Sequence, residues 1–80
     1  MTTNLEKYSN IFAETFEIDP SKTSELTYQS IPAWDSVGHM TLIAALEDAF
    51  DIMMETDDII DFNSFEKGKV ILAKYDVEFD

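Results

Sequence analysis

The chain has 80 residues, 45% of them hydrophobic, and its 17 acidic residues against five lysines and no arginine give a net charge of −12. This length predicts one small domain over residues 1–80 with a single modest core, and the lack of cysteine excludes disulfides, thiol chemistry and cysteine-ligated metal sites. The charge excludes ordinary binding to the nucleic-acid backbone, and the hydrophobic content excludes an acidic disordered tail. Because no basic-plus-apolar leader and no run of membrane-spanning length occurs, we expect a soluble cytoplasmic monomer that does not insert into membranes.

The first predicted element is an amphipathic helix of about four turns. Thr3 followed by Glu6 matches a capping box. Apolar residues then recur at spacings of three and four, which places them on one face of the helix. They are Leu5, Tyr8, Ile11, Phe12 and Phe16. The helix is expected to end near Glu17, because the Asp19-Pro20 pair disfavours helix before the proline.

Residues 20–35 are mostly polar and predict a long loop. A connection of this length in a small domain is usually either functional or disordered. Four apolar residues are spaced along it as anchors: Leu26, Tyr28, Ile31 and Trp34. We therefore expect an ordered loop that lies across the helices, with Ile31-Pro32 extended.

The second predicted helix runs from Ser36 to about Phe50 and has the strongest helical pattern in the chain. Its predicted buried stripe comprises Val37, Met40, Ile43, Ala44 and Phe50, widened by Leu42, Leu46 and Ala49. Gly38 in the first turn lowers helix propensity by about 1 kcal/mol relative to alanine. Two interpretations of this glycine stay open: a tolerated helix-end residue, or a small residue that leaves room for a modifying enzyme.

Seven acids and no lysine lie between Glu47 and Asp61. Within this stretch a short third helix is predicted over residues 57–62, with Thr56 as its N-cap. An EF-hand calcium loop is excluded, because the alternating oxygen ligands, the central glycine and the terminal glutamate are absent from the sequence.

A second capping box, from Asn63 to Glu66, predicts the start of the last helix. Its core side chains are predicted to be Phe65, Ile71, Leu72 and Tyr75, and its solvated ones Lys67, Lys69 and Lys74. Residues 76–80 are expected to be frayed, with Val77 or Phe79 as the only anchors. No segment combines strand alternation with turn residues, so the predicted fold is all-α.

Asp35 and Ser36 stand where the polar loop meets the second helix. Either is a good N-cap residue, and for an arbitrary Asp-Ser pair a helix cap alone is the usual interpretation. Here Val37 follows the pair, a long loop precedes it and an acidic stretch comes after it. Over its whole length the chain resembles the acyl carrier protein family, whose Asp-Ser-Leu motif carries phosphopantetheine on the serine. The resemblance implies a small four-helix bundle of three longer helices and a short third one, with a long first loop. It also implies that phosphopantetheine from coenzyme A is attached to Ser36, with Asp35 as its motif neighbour.

Carriers of this family hold an acyl, hydroxyacyl or aminoacyl intermediate as a thioester and present it to biosynthetic enzymes. The resemblance implies as partners a phosphopantetheinyl transferase, an acyl-loading ligase or transferase, and a ketosynthase or other acyl-processing enzymes with basic docking patches. The second helix is then the docking surface, through Val37, Met40, Glu47, Asp48 and Asp51. The implied acyl-chain pocket comprises Met40, Ala44, Met53, Met54 and Ile59.

Some positions depart from the carriers of fatty-acid synthesis. Gly38 and Thr41 stand where such carriers place acids, and Met54-Glu55 stands where they have Ile-Pro. Trp34 before the motif and Gly38-His39 after it look more like stand-alone carriers of specialised biosynthetic clusters.

His39, the only histidine, lies three residues after Ser36. A serine nucleophile needs such a base held by a third group within a formed pocket. We expect a solvated surface histidine instead, and a protein that is not an enzyme. The alternative function is an acidic helical interaction module, such as an inhibitor or adaptor, without a prosthetic group.

Overall fold

The computed structural model describes residues 3–79, which form four α-helices and one 3₁₀ helix. Their bounds are α1 Asn4–Phe16, the 3₁₀ helix Pro20–Glu25, α2 Ser36–Phe50, α3 Thr56–Asp61 and α4 Phe65–Ala73. Within the described residues there is no β-strand, only an isolated antiparallel bridge between Thr27 and Ser64. The predicted all-helical character is therefore confirmed. Across residues 3–79, no helix has the length and apolar content needed to cross a membrane.

Helix α1 begins and ends as its sequence predicts. Thr3 Oγ1 accepts a hydrogen bond from Glu6 N at 3.1 Å, and Glu17 ends the helix in the left-handed region at φ 55°. Of its apolar stripe, Tyr8, Phe12 and Phe16 are buried. Leu5 and Ile11 pack against the core while partly exposed.

The long loop is ordered but contains an element that its sequence did not predict. Asp19 Oδ1 accepts from Ser21 N at 2.9 Å and caps the 3₁₀ helix that Pro20 begins. Of the four predicted anchors, Leu26 and Trp34 are buried, Ile31 is partly buried and Tyr28 is exposed.

Pro32 lies within a turn rather than in the extended segment that was expected. Trp34 N donates to Ile31 O at 3.1 Å and closes this turn. In addition, Gln29 N donates to Trp34 O at 3.0 Å, so both backbone polar groups of Trp34 are bonded within the loop. The loop therefore folds back on itself just before α2 begins.

The core is a cluster of aromatic rings centred on Phe12. Its ring packs edge-on against Trp34 at 5.5 Å and against Phe65 at 5.1 Å, two arrangements that aromatic quadrupoles favour. The fully buried Tyr8 hydroxyl donates to Phe65 O at 2.7 Å, and burial raises the pKa of Tyr8. The cluster joins α1, the loop and the first residue of α4.

The N-caps of α3 and α4 each differ by one residue from those predicted. Thr56 is the first residue of α3, and its N-cap, Glu55, makes no side-chain capping bond. The α4 cap is Ser64, whose Oγ accepts from Lys67 N at 2.9 Å, and not Asn63. Asn63 O accepts from Tyr28 N at 2.8 Å, so this residue is held against the loop and the helix begins later.

For residues 76–79 of the C-terminal tail the expected fraying is wrong, while the expected anchoring by Val77 and Phe79 is confirmed. Val77 is buried, and the Phe79 ring lies 5.1 Å from that of Tyr8. Asn4 Nδ2 donates to Glu78 O at 2.9 Å, which fixes the tail against the start of α1. Asp80 lies outside the described residues.

Candidate functional site

Asp35 and Ser36 have different roles at the start of α2. Asp35 has extended backbone dihedrals, and its Oδ1 accepts from Gly38 N at 2.8 Å, which makes it the N-cap. Its carbonyl accepts from His39 N at 2.7 Å. Ser36 is the first helical residue and is exposed. Because Asp35 supplies the cap, the Ser36 hydroxyl is not needed to start the helix.

Gly38 is required by the close approach of the preceding loop. A Cβ at this position would lie 2.0 Å from Ala33 O and 3.3 Å from Phe16 Cε1. The first distance is far inside van der Waals contact, and a backbone carbonyl cannot move aside as a flexible side chain can. Neither of the two interpretations from the sequence gives this reason, which depends on how the loop turns over α2.

His39 connects three segments and is not the solvated residue that was expected. Trp34 Nε1 donates to its Nδ1 at 3.0 Å, and the indole nitrogen can only donate. Its Nε2 lies 2.8 Å from Ile59 O, which can only accept, so the neutral ring carries its proton on Nε2. The imidazole thus links α2 to the loop through Trp34 and to α3 through Ile59. With both nitrogens bonded, His39 is not available as a base for Ser36.

A groove of about 330 Å³ opens beside Ser36. The loop, α2, and α3 with the two residues that follow it form its walls. The lining residues are Tyr28, Ser36, His39, Met40, Ile59, Ile60, Phe62 and Asn63. Of these, sequence reasoning assigned only Met40 and Ile59 to a pocket. It missed the others because the isolated bridge brings the loop to the end of α3, a contact that no local pattern indicates.

The remaining predicted pocket residues lie elsewhere. Ala44 lines an adjoining, shallow depression on the exposed side of α2, which shares Ser36 and Met40 with the groove. Met54 is buried in the core, and Met53 is 86% exposed. The structure therefore groups Met40 with Ile59 in the groove and with Ala44 in the depression, but it brings neither Met53 nor Met54 to them.

The buried face of α2 differs from the predicted stripe. Val37 is 75% exposed and Met40 54% exposed, and Ala44 is exposed as well. The buried side chains are Leu42, Ile43 and Leu46. Both sides of this helix carry apolar residues, so hydrophobic periodicity alone did not determine which side faces the core. An exposed apolar surface consequently begins one residue after Ser36.

The three acids predicted to serve in docking differ in their surroundings. Asp48 is exposed. Glu47 is partly buried, and its Oε2 accepts from Met54 N at 2.9 Å, which holds the turn after α2. Asp51 is exposed and ends α2 in the left-handed region at φ 54°. Of the three, only Asp48 has no such structural constraint.

The acidic stretch is also held by a network that sequence reasoning missed. Asp58 is buried, and its Oδ1 lies 2.6 Å from Lys74 Nζ while its Oδ2 accepts from the Tyr75 hydroxyl. The bond from Lys74, and then that from Tyr75, lower the pKa of Asp58, and Asp58 in turn raises the pKa of Lys74. The Tyr75 hydroxyl also accepts from Glu55 N at 2.9 Å. These bonds fix α3, and thus one wall of the groove, to the end of α4.

Within residues 3–79, no group of three or more histidine, aspartate or glutamate side chains is arranged to hold a metal ion. Comparisons of the chain with protein-family models, with curated proteins and with solved structures found no match.

Proposed function

We propose that this chain is an acyl carrier protein, in which Ser36 bears phosphopantetheine and the arm presents a thioester-linked acyl group to biosynthetic enzymes. The observation that carries the proposal is the placement of Ser36. Its side chain is exposed at the first position of α2, the neighbouring Asp35 makes the cap, and the serine lines the apolar groove. A serine whose hydroxyl does not cap the helix, and which lies next to an apolar groove, suits covalent modification by another enzyme.

The surroundings of Ser36 fit a phosphodiester. An anion attached to its Oγ lies at the N-terminus of a 15-residue helix, where unpaired amides and the positive end of the helix dipole favour negative charge. In the transfer, the Oγ–phosphorus bond forms as a phosphate–oxygen bond of coenzyme A breaks, releasing adenosine 3′,5′-bisphosphate. The Ser36 proton passes to a base of the transferase, since both His39 nitrogens are engaged. When attached, the group supplies the thiol that a chain without cysteine lacks.

The exposed apolar side of α2 gives partner enzymes a surface next to Ser36. Val37 and Met40 lie within the first two turns, and Asp48 lies about 18 Å along the helix. A partner with an apolar contact at its active-site entrance and a basic patch farther out matches this order of residues. Phosphopantetheinyl transferases, acyl-loading enzymes and ketosynthases are the partners proposed. The chain itself performs no catalysis in this scheme.

The proposal extends to the arrangement of the chain. The 13, 15 and 9 residues of α1, α2 and α4, with the 6 residues of α3, agree with a bundle of three longer helices and a short third one. We take residues 1–80 as one carrier domain that acts as a cytoplasmic monomer.

The test is the intact mass of the protein after incubation with coenzyme A and a broad-specificity phosphopantetheinyl transferase. The wild-type chain is expected to gain one phosphopantetheine, and Ser36→Ala none. Ser24→Ala, at an exposed serine of the 3₁₀ helix, is the matched control and should gain the group as the wild type does. A gain by Ser36→Ala would contradict the site. No gain by a folded wild-type chain would favour the acidic interaction module instead.

A further inference from the structure

The indole of Trp34 and the imidazole of His39 are joined across the attachment motif. Trp34 Nε1 donates to His39 Nδ1 at 3.0 Å, and these two residues, five positions apart, stand on either side of Ser36. The ring planes differ by only 16° and the ring centroids are 6.2 Å apart, so the rings are nearly coplanar and meet edge to edge. Because an N–H bond and a nitrogen lone pair both lie in the plane of their ring, donor and acceptor are well aligned. We call this bond the clasp.

Both ends of the clasp are fixed. Trp34 is fully buried, and its ring stacks on that of Phe16 at 5.3 Å. The backbone N–H and carbonyl of Trp34 are bonded within the loop. At the other end, His39 N donates to Asp35 O at 2.7 Å, which holds His39 in the first turn of α2. The clasp therefore connects the aromatic core to the first turn of the helix.

The residues between the two ends lie on the surface. Asp35, Ser36 and Val37 are all exposed. The cap bond from Gly38 N to Asp35 Oδ1 is local to this stretch and does not join it to the core. The clasp does so, because its donor belongs to the loop and its acceptor to α2. The direction in which the Ser36 hydroxyl leaves the surface thus depends on the clasp.

We propose that His39 is a positioning residue for the modification of Ser36: by accepting the Trp34 N–H, it holds the loop and the start of α2 in the orientation that a phosphopantetheinyl transferase binds. This role rests on the proposed function and is distinct from the capping role of Asp35. With the clasp open, the loop and α2 can shift against each other, and only a fraction of the molecules present the serine correctly. The apparent KM for the carrier then rises by the reciprocal of that fraction. The kcat stays the same, because a carrier that is already bound is already oriented.

His39 makes a second bond, to Ile59 O, and substitutions can separate the two. Asparagine carries an acceptor at the δ position, where the imidazole has Nδ1, and glutamine carries a donor at the ε position, where it has Nε2. His39→Asn therefore retains an acceptor for Trp34 and loses the bond to α3. His39→Gln retains the donor to Ile59 O and loses the clasp. His39→Leu has a similar size and loses both bonds.

The test measures kcat and KM for the transfer of phosphopantetheine from coenzyme A, with the full chain as the varied substrate. His39→Leu and His39→Gln should raise KM by about 3- to 10-fold without changing kcat, since this is the factor that one hydrogen bond of ordinary net strength corresponds to. His39→Asn should restore KM to near that of the wild type. The reverse order, with His39→Gln normal and His39→Asn impaired, would assign the effect to the bond with α3 and overturn the inference.

The clasp can also be observed directly. Trp34 is the only tryptophan, so its indole N–H gives a single NMR signal whose exchange with solvent reports whether the bond is made. Exchange should be slow in the wild type and in His39→Asn, and faster in His39→Leu and His39→Gln. Variants whose KM does not follow this exchange would contradict the positioning role.

A double variant tests whether the two residues act through one bond. Trp34→Phe keeps an aromatic ring in the core but has no donor. Combined with His39→Leu, it should raise KM no further than either change alone, because both remove the same bond. Effects that multiply would show that the residues act independently and overturn the inference. The His39 series decides the question even if Trp34→Phe does not fold.

Ile71→Val is the matched control for stability, because it trims a buried side chain of α4 that takes no part in the clasp. With all assays well below the melting temperatures, it should lower the melting temperature and leave KM unchanged. If its KM rose as much as that of His39→Leu, His39 would act only through stability and the inference would fail. Transfer to His39→Leu with an unaltered KM would overturn the inference alone. No transfer to a folded wild-type chain would instead overturn the proposed function.

Discussion

Replacing Gly38 with alanine separates local helix propensity from tertiary packing, because the two predict opposite signs. Propensity alone favours Gly38→Ala by about 1 kcal/mol in a helix. In the structure, however, the new Cβ would lie 2.0 Å from Ala33 O, so the loop backbone must move. Overpacking of this kind typically costs about 1–3 kcal/mol, and a clash with backbone belongs at the upper end. The expected net effect is a loss of about 2 kcal/mol of unfolding free energy, or roughly 8–16 °C in melting temperature.

The measurement is urea unfolding followed by circular dichroism, with a thermal melt as a second probe. Thr41→Ala is the matched control, because it raises helix propensity at an exposed position of the same helix. We expect it to change the unfolding free energy by about 0.5 kcal/mol or less. Stabilisation of Gly38→Ala by about 1 kcal/mol would refute the packing argument and show that the loop yields without cost.

Three further predictions concern the cap, the buried carboxylate and the docking acid. The cap bond to Gly38 N comes from Asp35, so Asp35→Ala should lose about 1 kcal/mol of unfolding free energy in the apo protein. Ser36→Ala should lose less than about 0.5 kcal/mol. Both are measured by urea unfolding, and equal losses would contradict this division of roles. Because its bonds lower the pKa of Asp58, its contribution to stability is present above about pH 4 and is lost as the pH falls through the lowered folded-state pKa. Asp58→Asn should therefore be less stable than the wild type near neutral pH, and the gap should narrow on acidification in parallel melts; a gap independent of pH would count against the network. Asp48→Lys should weaken the apparent affinity for the transferase by up to about fivefold at low salt and less at high salt. If the affinity of the variant depended on salt as that of the wild type does, this acid would not contact the transferase.

Helix boundaries followed from local sequence, because capping and termination involve only a few neighbouring residues. The Thr3–Glu6 cap and the end of α1 at Glu17 appear as predicted, as does the start of α2 at Ser36. The position of Ser36 directly after the N-cap Asp35 is likewise a local arrangement. At Asn63 a local signal failed because a distant segment competed for the backbone, since Asn63 O accepts from Tyr28 N.

The orientation of α2 required the tertiary structure. Apolar residues lie on both of its sides, so the hydrophobic periodicity was compatible with either side facing the core. The predicted buried stripe included Val37 and Met40, which are in fact exposed. Three contacts fix which side faces the core: the approach of Ala33 O to Gly38, the bond from Trp34 to His39, and the bond between His39 and Ile59. Two of them join α2 to the loop just before it and one joins it to α3, so no spacing within the helix could reveal them.

The sequence by itself therefore determined the helical class, most helix ends and the place of Ser36 at the start of α2, because these depend on short-range hydrogen bonds and backbone preferences. Only the tertiary structure decided which side of α2 is left to partners and which residues line the groove beside Ser36. It also assigned Glu47 and Asp58 to structural bonds within an acidic stretch that looks uniformly solvated in the sequence. The physical reason is that burial and pairing depend on which distant segment packs against a residue, and this cannot be deduced from local sequence or composition.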